Sequence, residues 1–199
     1  YEVTIGLTDS SDPARTTSQW YKILSVRGYA MEDVPFDPVN ARDGGTDLNI
    51  TSGDEYRRLD LPFAFTFYDE EFTYIQVSSY GYVTFGDQPA DSFQNTRIPD
   101  TAAPNGFAAP FWDFLESDVG AGVFYRVVGE VPNRQLVITW ADVPHLPDTG
   151  PGTITLILEE GTNSIVFQYP DVVFNEEGIE WTSFNYGKSA TIGIENPAG

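Results

Sequence analysis

Cysteine is absent from the 199 residues, so no disulfide staples the fold and neither thiol chemistry nor a cysteine-ligated metal centre is available. Histidine occurs once, at His145, and lysine only at Lys22 and Lys188. A single imidazole without thiolates leaves a zinc site short of its usual ligands. Basic residues are scarce in general: ten Lys plus Arg face thirty Asp plus Glu, a formal net charge of −20 at pH 7. Nucleic acid and anionic membranes both require a basic face, so neither is expected as a partner. The charge favours cationic partners, namely Ca²⁺, a basic protein or plain counter-ions, and it equally serves to keep an exported protein in solution. No apolar run approaches the roughly 18 residues of a membrane-spanning helix, so no membrane insertion is expected. The chain opens at Tyr1 without Met or a signal sequence, as expected of an exported protein whose leader has been removed.

What the chain does contain is strand patterning, densest in residues 61 to 85. Leu61, Phe63, Phe65 and Phe67 alternate with Pro62, Ala64, Thr66 and Tyr68, a period of two that gives an extended strand one face of large rings and one smaller, more polar face. The acidic run Asp69-Glu70-Glu71 is expected to turn the chain. Thr73, Ile75, Val77 and Ser79 then alternate, and Tyr80-Gly81 supplies a glycine for a tight turn before Val83 and Phe85. Such a meander forms half of a sandwich core.

Elsewhere the pattern recurs. Tyr1, Val3, Ile5 and Leu7 alternate with Glu2, Thr4 and Gly6, and the polar, turn-rich segment 8 to 17 reads as a hinge before the apolar run Trp20 to Val26. The N-terminal strand is thus expected either to pair within its own chain or to complete the sheet of a neighbouring subunit. Residues 31 to 53 and 86 to 105, rich in Pro, Gly and Asp, read as long loops. Residues 106 to 114 crowd aromatic and small side chains so densely that they must be largely buried. Strands resume with Val123, Tyr125 and Val127, with Leu136, Ile138 and Trp140, with Ile154, Leu156 and Leu158, with Ile165, Phe167 and Tyr169, and with Ala190, Ile192 and Ile194. No sustained helical period interrupts them. The count is about ten strands at the spacing of an antiparallel sandwich.

Several of these blocks together resemble a known family. Leu61-Pro62-Phe63, Phe65 and Phe67-Tyr68, then Val77-Ser78-Ser79 with Gly81-Tyr82-Val83 and Phe85, then Ala108-Ala109-Pro110-Phe111-Trp112 with Phe114, then Gly122-Val123 with Tyr125-Arg126, then Val137 with Trp140, resemble the nidogen-like extracellular β domains and related modules of secreted bacterial surface proteins. The likeness runs over roughly residues 59 to 195. It implies an extracellular β module used in adhesion or matrix assembly, without a catalytic constellation. The first 55 or so residues lie outside it, and Phe114 stands where a further acidic residue would follow Trp112-Asp113.

Enzyme chemistry finds little footing. A Ser-His-Asp device would have to use His145, and no Gly-x-Ser-x-Gly elbow exists. Gly187-Lys188-Ser189 has the ending of a phosphate loop, but Thr182 stands where that loop needs its first glycine. Thirty carboxylates guarantee neighbouring pairs, so proximity alone does not point to glycoside hydrolysis. Sugar could instead stack on Trp112, Trp181, Tyr80 and Tyr82 if they were exposed, against the reading that they are core. Calcium takes six to eight hard oxygens, and two carboxylate groups qualify as candidates: Asp43, Asp47 and Asp54 with Asn49, and Asp113, Glu116 and Asp118. Leu48 at the glycine position rules out an EF-hand in the first group. Asn49-Ile50-Thr51 is a glycosylation sequon.

The expectation is therefore an all-β antiparallel sandwich with long acidic loops, residues 1–18 forming an N-terminal strand and hinge and 19–199 a single domain. Its function is expected to be that of a non-enzymatic extracellular structural or adhesive subunit. Tyr1, Val3, Ile5 and Leu7 would be its subunit-contact strand, and copies of itself or another surface protein its partners. The alternatives are a carbohydrate-binding module of a secreted hydrolase and a calcium-dependent recognition module.

Overall fold

The computed structural model describes residues 3–5, 29–117, 121–146, 149–175, 178–180 and 183–199, the first three by backbone alone. Tyr1, Leu7, the run from Trp20 to Val26, the boundary at residue 18, Asp118 and Trp181 lie outside the described residues. Two five-stranded antiparallel sheets face each other. The strands in chain order are β1 (Val3–Ile5), β2 (Tyr29–Met31), β3 (Thr46–Asp47), β4 (Tyr56–Phe67), β5 (Glu70–Ser78), β6 (Val83–Phe85), β7 (Phe107–Trp112), β8 (Gly122–Val128), β9 (Gln135–Pro144), β10 (Pro151–Glu159), β11 (Ile165–Asp171) and β12 (Thr191–Glu195). One sheet has the order β11-β10-β9-β8-β3 and the other β12-β7-β6-β5-β4. Each is a meander extended by one borrowed strand: β3, which precedes the first meander, joins the second, and β12, which follows the second, joins the first. The two layers are thereby tied together by chain connectivity. β1 and β2 stand apart as a parallel pair.

The expected inward faces are the observed ones. Phe63, Phe65 and Phe67 of β4, Ile75 and Val77 of β5, Leu136, Ile138 and Trp140 of β9, Ile154, Leu156 and Leu158 of β10, and Ile165, Phe167 and Tyr169 of β11 all enter one core. Phe65 and Phe67 stack on Phe85 with centroids 5.7 and 4.0 Å away. Two bonds cross between the layers: Trp140 Nε1 donates to the Ser78 carbonyl and Tyr169 Oη to the Pro110 carbonyl, both at 2.8 Å.

Three details differ from expectation. The hairpin after β4 turns on Tyr68 and Asp69, because Phe67 pairs with Glu70 and both glutamates belong to β5. Tyr68 adopts φ 52°, a left-handed conformation unusual for a bulky residue. It is held by its N–H donating to the Tyr29 hydroxyl and by the Tyr29 ring 4.3 Å from its own. The loop at residues 31 to 53 hides the two-residue β3. Residues 107 to 112 form β7, fully buried despite Pro110, which sits where the ladder to β12 shifts register and its missing N–H is tolerated.

Long loops close the outer faces. Residues 34 to 41 lie over β8 to β11, where Val34 and Val39 pack on Ala41, Val137, Ile157 and Val166. Ala41 N–H donates to Thr139 Oγ1 and Val39 N–H to Gln168 Oε1. Residues 90 to 98 do the same over β6 and β7. The middle strands therefore bury both faces, which is why β9 and β10 read as nearly continuous apolar runs. Phe67→Ala is expected to remove about 3–5 kcal/mol of unfolding free energy, whereas Ala64→Ser on the exposed face of the same strand should change it by less than about 0.5 kcal/mol; urea denaturation of both variants measures the difference.

Candidate functional site

Among the described residues, a buried carboxylate and a buried imidazole come together where the two sheets meet. The chain leaving β7 is bonded directly to the end of β9: Glu116 N–H donates to the Pro144 carbonyl at 3.0 Å and Leu146 N–H to the Phe114 carbonyl at 2.8 Å, with Leu115 bridged to His145. This seam places Asp113, from one sheet, against His145, from the other. His145 Nε2 lies 3.0 Å from Asp113 Oδ1, close enough for an ion pair. The approach is off the line of a hydrogen bond, so both ring nitrogens are buried without an aligned partner among the described residues. Ser189, just before β12, donates its hydroxyl to Asp113 Oδ2 at 2.5 Å, and Phe114 N–H donates to Oδ1 at 2.9 Å.

Electrostatics follow from that count of donors. Burial pushes the Asp113 carboxyl up, but the contacts with His145 and Ser189 and the Phe114 N–H outweigh it and hold the group below the usual carboxylate range. The imidazole is walled by rings: Phe184 stacks on it at 4.0 Å and Phe174 meets it edge-on at 5.8 Å. The carboxylate sits in the middle of the trio. A nucleophile relay needs the imidazole there, between hydroxyl and carboxylate. Here the serine hydroxyl donates to the Asp113 carboxylate instead of to the imidazole, so the geometry is that of a buried polar clamp.

The other candidate residues are dispersed. Asp113 is engaged in the clamp through Ser189, Phe114 and His145. Asp47 Oδ1 accepts from Asn49 N–H at 2.7 Å, turning the chain beyond β3. Asp54 belongs to the opposite sheet's approach, where its Oδ1 accepts from the Tyr80 hydroxyl at 2.7 Å. Burial and that carboxylate push the Tyr80 phenol up to about 12. Asp43 contributes its backbone carbonyl to Arg126 at 2.7 Å. Among the described residues no three or more His, Cys, Asp or Glu side chains are grouped to hold a metal ion. Asn49 is exposed, with its side-chain amide donating to the Asp47 carbonyl.

Three of the four rings weighed for sugar stacking are core, as the alternative reading of them has it. Trp112 and Tyr82 are wholly buried and Tyr80 is 2% exposed, because residues 90 to 98 lie over them. Trp112 Nε1 donates to the Ser92 carbonyl at 2.8 Å, and Ser92 N–H donates to the Tyr82 hydroxyl at 3.1 Å. The N-terminal strand pairs in parallel with β2, with Val3 opposite Tyr29 and Ile5 opposite Met31.

Sheet order, borrowed strands and clamp together define an all-β sandwich module whose polar side chains fasten one layer to the other. A family model described as NIDO related matches residues 28–199, and the chain belongs to that nidogen-related family. The match begins well before residue 59, so the segment holding β2, β3 and the loop over β9 to β11 is part of the family domain, contrary to expectation; its role is to cover and extend a sheet rather than to lead into one. No curated protein and no solved structure matches the chain.

What sequence patterning missed here is Ser189 and the pairing of Asp113 with His145, which lie far apart along the chain. The one available signal was a lone histidine between prolines in an apolar setting. Asp113→Asn is expected to lower stability by about 1.5–3 kcal/mol at pH 7. A depressed carboxyl contributes stability that is present above its unfolded value of 3.8 and lost as pH falls through the folded value. The gap between wild type and variant in urea denaturation should therefore close as pH is lowered from about 4 toward 2; a gap that persists unchanged contradicts the charged assignment.

Proposed function

We propose that this chain is a non-enzymatic extracellular structural or adhesive subunit that joins copies of itself by addition of its N-terminal strand. The observation behind this is the position of β1: it lies outside both five-stranded sheets and outside the family match, which starts at residue 28. A domain complete without a strand that precedes it is the arrangement used in strand addition, where main-chain hydrogen bonds provide affinity and alternate side chains provide specificity. Membership of a nidogen-related family supports an extracellular location. No helix among the described residues is long and apolar enough to cross a membrane. The clamp residues and the rings of Trp112, Tyr82 and Tyr80 are engaged within the domain, which leaves the N-terminal strand as the segment this reading assigns to assembly.

Deleting residues 1 to 8 is expected to leave a folded, soluble monomer, and filaments or oligomers of unchanged length in negative-stain electron micrographs would refute the proposal. Charge gives a second check. Copies carrying −20 each repel one another, so assembly followed by light scattering should increase as salt is raised from about 0.01 to 0.15 M and the screening length falls from about 30 to 8 Å.

A further inference from the structure

We propose that Asn49 is the acceptor of an N-linked oligosaccharide, carried on the solvent side of the turn that leaves β3. This rests on the extracellular location in the reading above and is independent of assembly through the N-terminal strand. Of the nine asparagines in the chain, Asn49 alone is followed at the second position by a hydroxyl residue across a residue other than proline, in Asn49-Ile50-Thr51. The motif by itself is short, and the argument for it lies in what the fold does with this side chain.

Three other asparagines brace one segment against another. Asn95 Nδ2 donates to the Trp112 and Ser189 carbonyls, and Asn163 Oδ1 accepts from Thr66 N–H. Asn185 is buried, accepts from Phe174 N–H and donates to Asn175 Oδ1. Asn49 shares the left-handed backbone of Asn163, with φ 54° against 55°, a conformation asparagine adopts more readily than most residues. Its amide, however, reaches only the Asp47 carbonyl, 3.1 Å away in the same turn, and the residue is exposed. An amide nitrogen carries two N–H groups. A sugar in place of one leaves the other to donate to Asp47.

The backbone around the site is fixed by other groups. Leu48 N–H donates to the Val123 carbonyl at 2.9 Å, Asn49 N–H to Asp47 Oδ1 at 2.7 Å, and Arg57 Nη2 to the Asn49 carbonyl at 2.9 Å. Ile50 is buried in the main core, while Asn49 and Thr51 on either side of it are exposed. Thr51 N–H donates to Glu55 Oε2 at 2.9 Å. The turn therefore holds its shape without the Asn49 side chain, and a bulky, hydrated group attached there displaces nothing from the core. The transfer forms a bond from Asn49 Nδ2 to the anomeric carbon of the sugar and breaks the bond from that carbon to the phosphate of a lipid diphosphate-linked oligosaccharide. The amide proton passes to a base of the transferase, and the lipid diphosphate leaves.

The test is to secrete the full chain behind a cleavable leader from a glycosylating host and weigh the product. The expected mass exceeds that of the polypeptide by one oligosaccharide. Peptide N-glycosidase should remove the excess and leave aspartate at position 49 in the peptide map. T51S is expected to keep the modification. N49D and T51A are expected to lose it, N49D keeping a residue tolerant of the left-handed backbone and T51A keeping the N–H bond to Glu55. All of these forms should melt at the same temperature, since N49D has the sequence of the enzymically trimmed wild type. Secreted wild type of unmodified mass overturns the inference, as does an excess mass that persists in both N49D and T51A. A glycosylated chain that melts well below its trimmed form overturns the outward placement. The location fails separately: native protein recovered from the cell interior overturns the extracellular reading, whatever the secreted protein carries.

Discussion

Everything in this molecule depends on burying both faces of its central strands. A sandwich needs only one apolar face per sheet, and the exposed ends of β4 and β5, with Arg58, Asp60, Ala64 and Thr73, keep to that rule. The middle strands do not. Thr139 and Thr155 on the outer face of β9 and β10 bond to each other at 2.9 Å beneath the loop that carries Val39 and Ala41. Tyr80, Tyr82, Phe107 and Trp112 form a second small core on the other sheet. Loops whose composition marks them as irregular are thus obligatory layers of the fold. Their backbone groups are paired with side chains of the strands they cover, as buried polar groups must be.

That constraint decides what the aromatic residues do. A ring exposed on a sheet can stack on a sugar. The same ring under a loop is held by its polar tip, as the Trp112 indole and the Tyr82 hydroxyl are held by Ser92. It also explains why a carboxylate and an imidazole are tolerated in the interior. Asp113 receives its hydrogen bonds from Ser189 and Phe114 and faces His145, so the charge is compensated at the point where the layers join. A clamp of this kind fixes one packing of sheet on sheet.

Much of the architecture was legible before any coordinates. Alternation placed the inward residues of β4, β9, β10 and β11 correctly, because a period of two survives whenever one face is apolar and large. The family blocks at Ala108 to Trp112 and at Val77 to Phe85 carried the kinship that the match over residues 28–199 establishes. The failures share a cause. β7 was not recognisable because both of its faces are buried and Pro110 interrupts its donors, and β3 because two residues cannot show a period. The turn at Tyr68-Asp69 was displaced onto the acidic run because solvent-facing glutamates on β5 look like turn residues.

The sequence by itself therefore determined the class of fold, the inward faces, the family and the exclusion of cysteine chemistry, since each follows from residue type and spacing along one strand. Only the tertiary structure decided which strand each meander borrows, which rings lie beneath loops, and that Asp113 meets His145 and Ser189. Those outcomes are contacts between residues far apart in the chain. They depend on how two sheets and two loops stack, and no periodicity along a single segment encodes that.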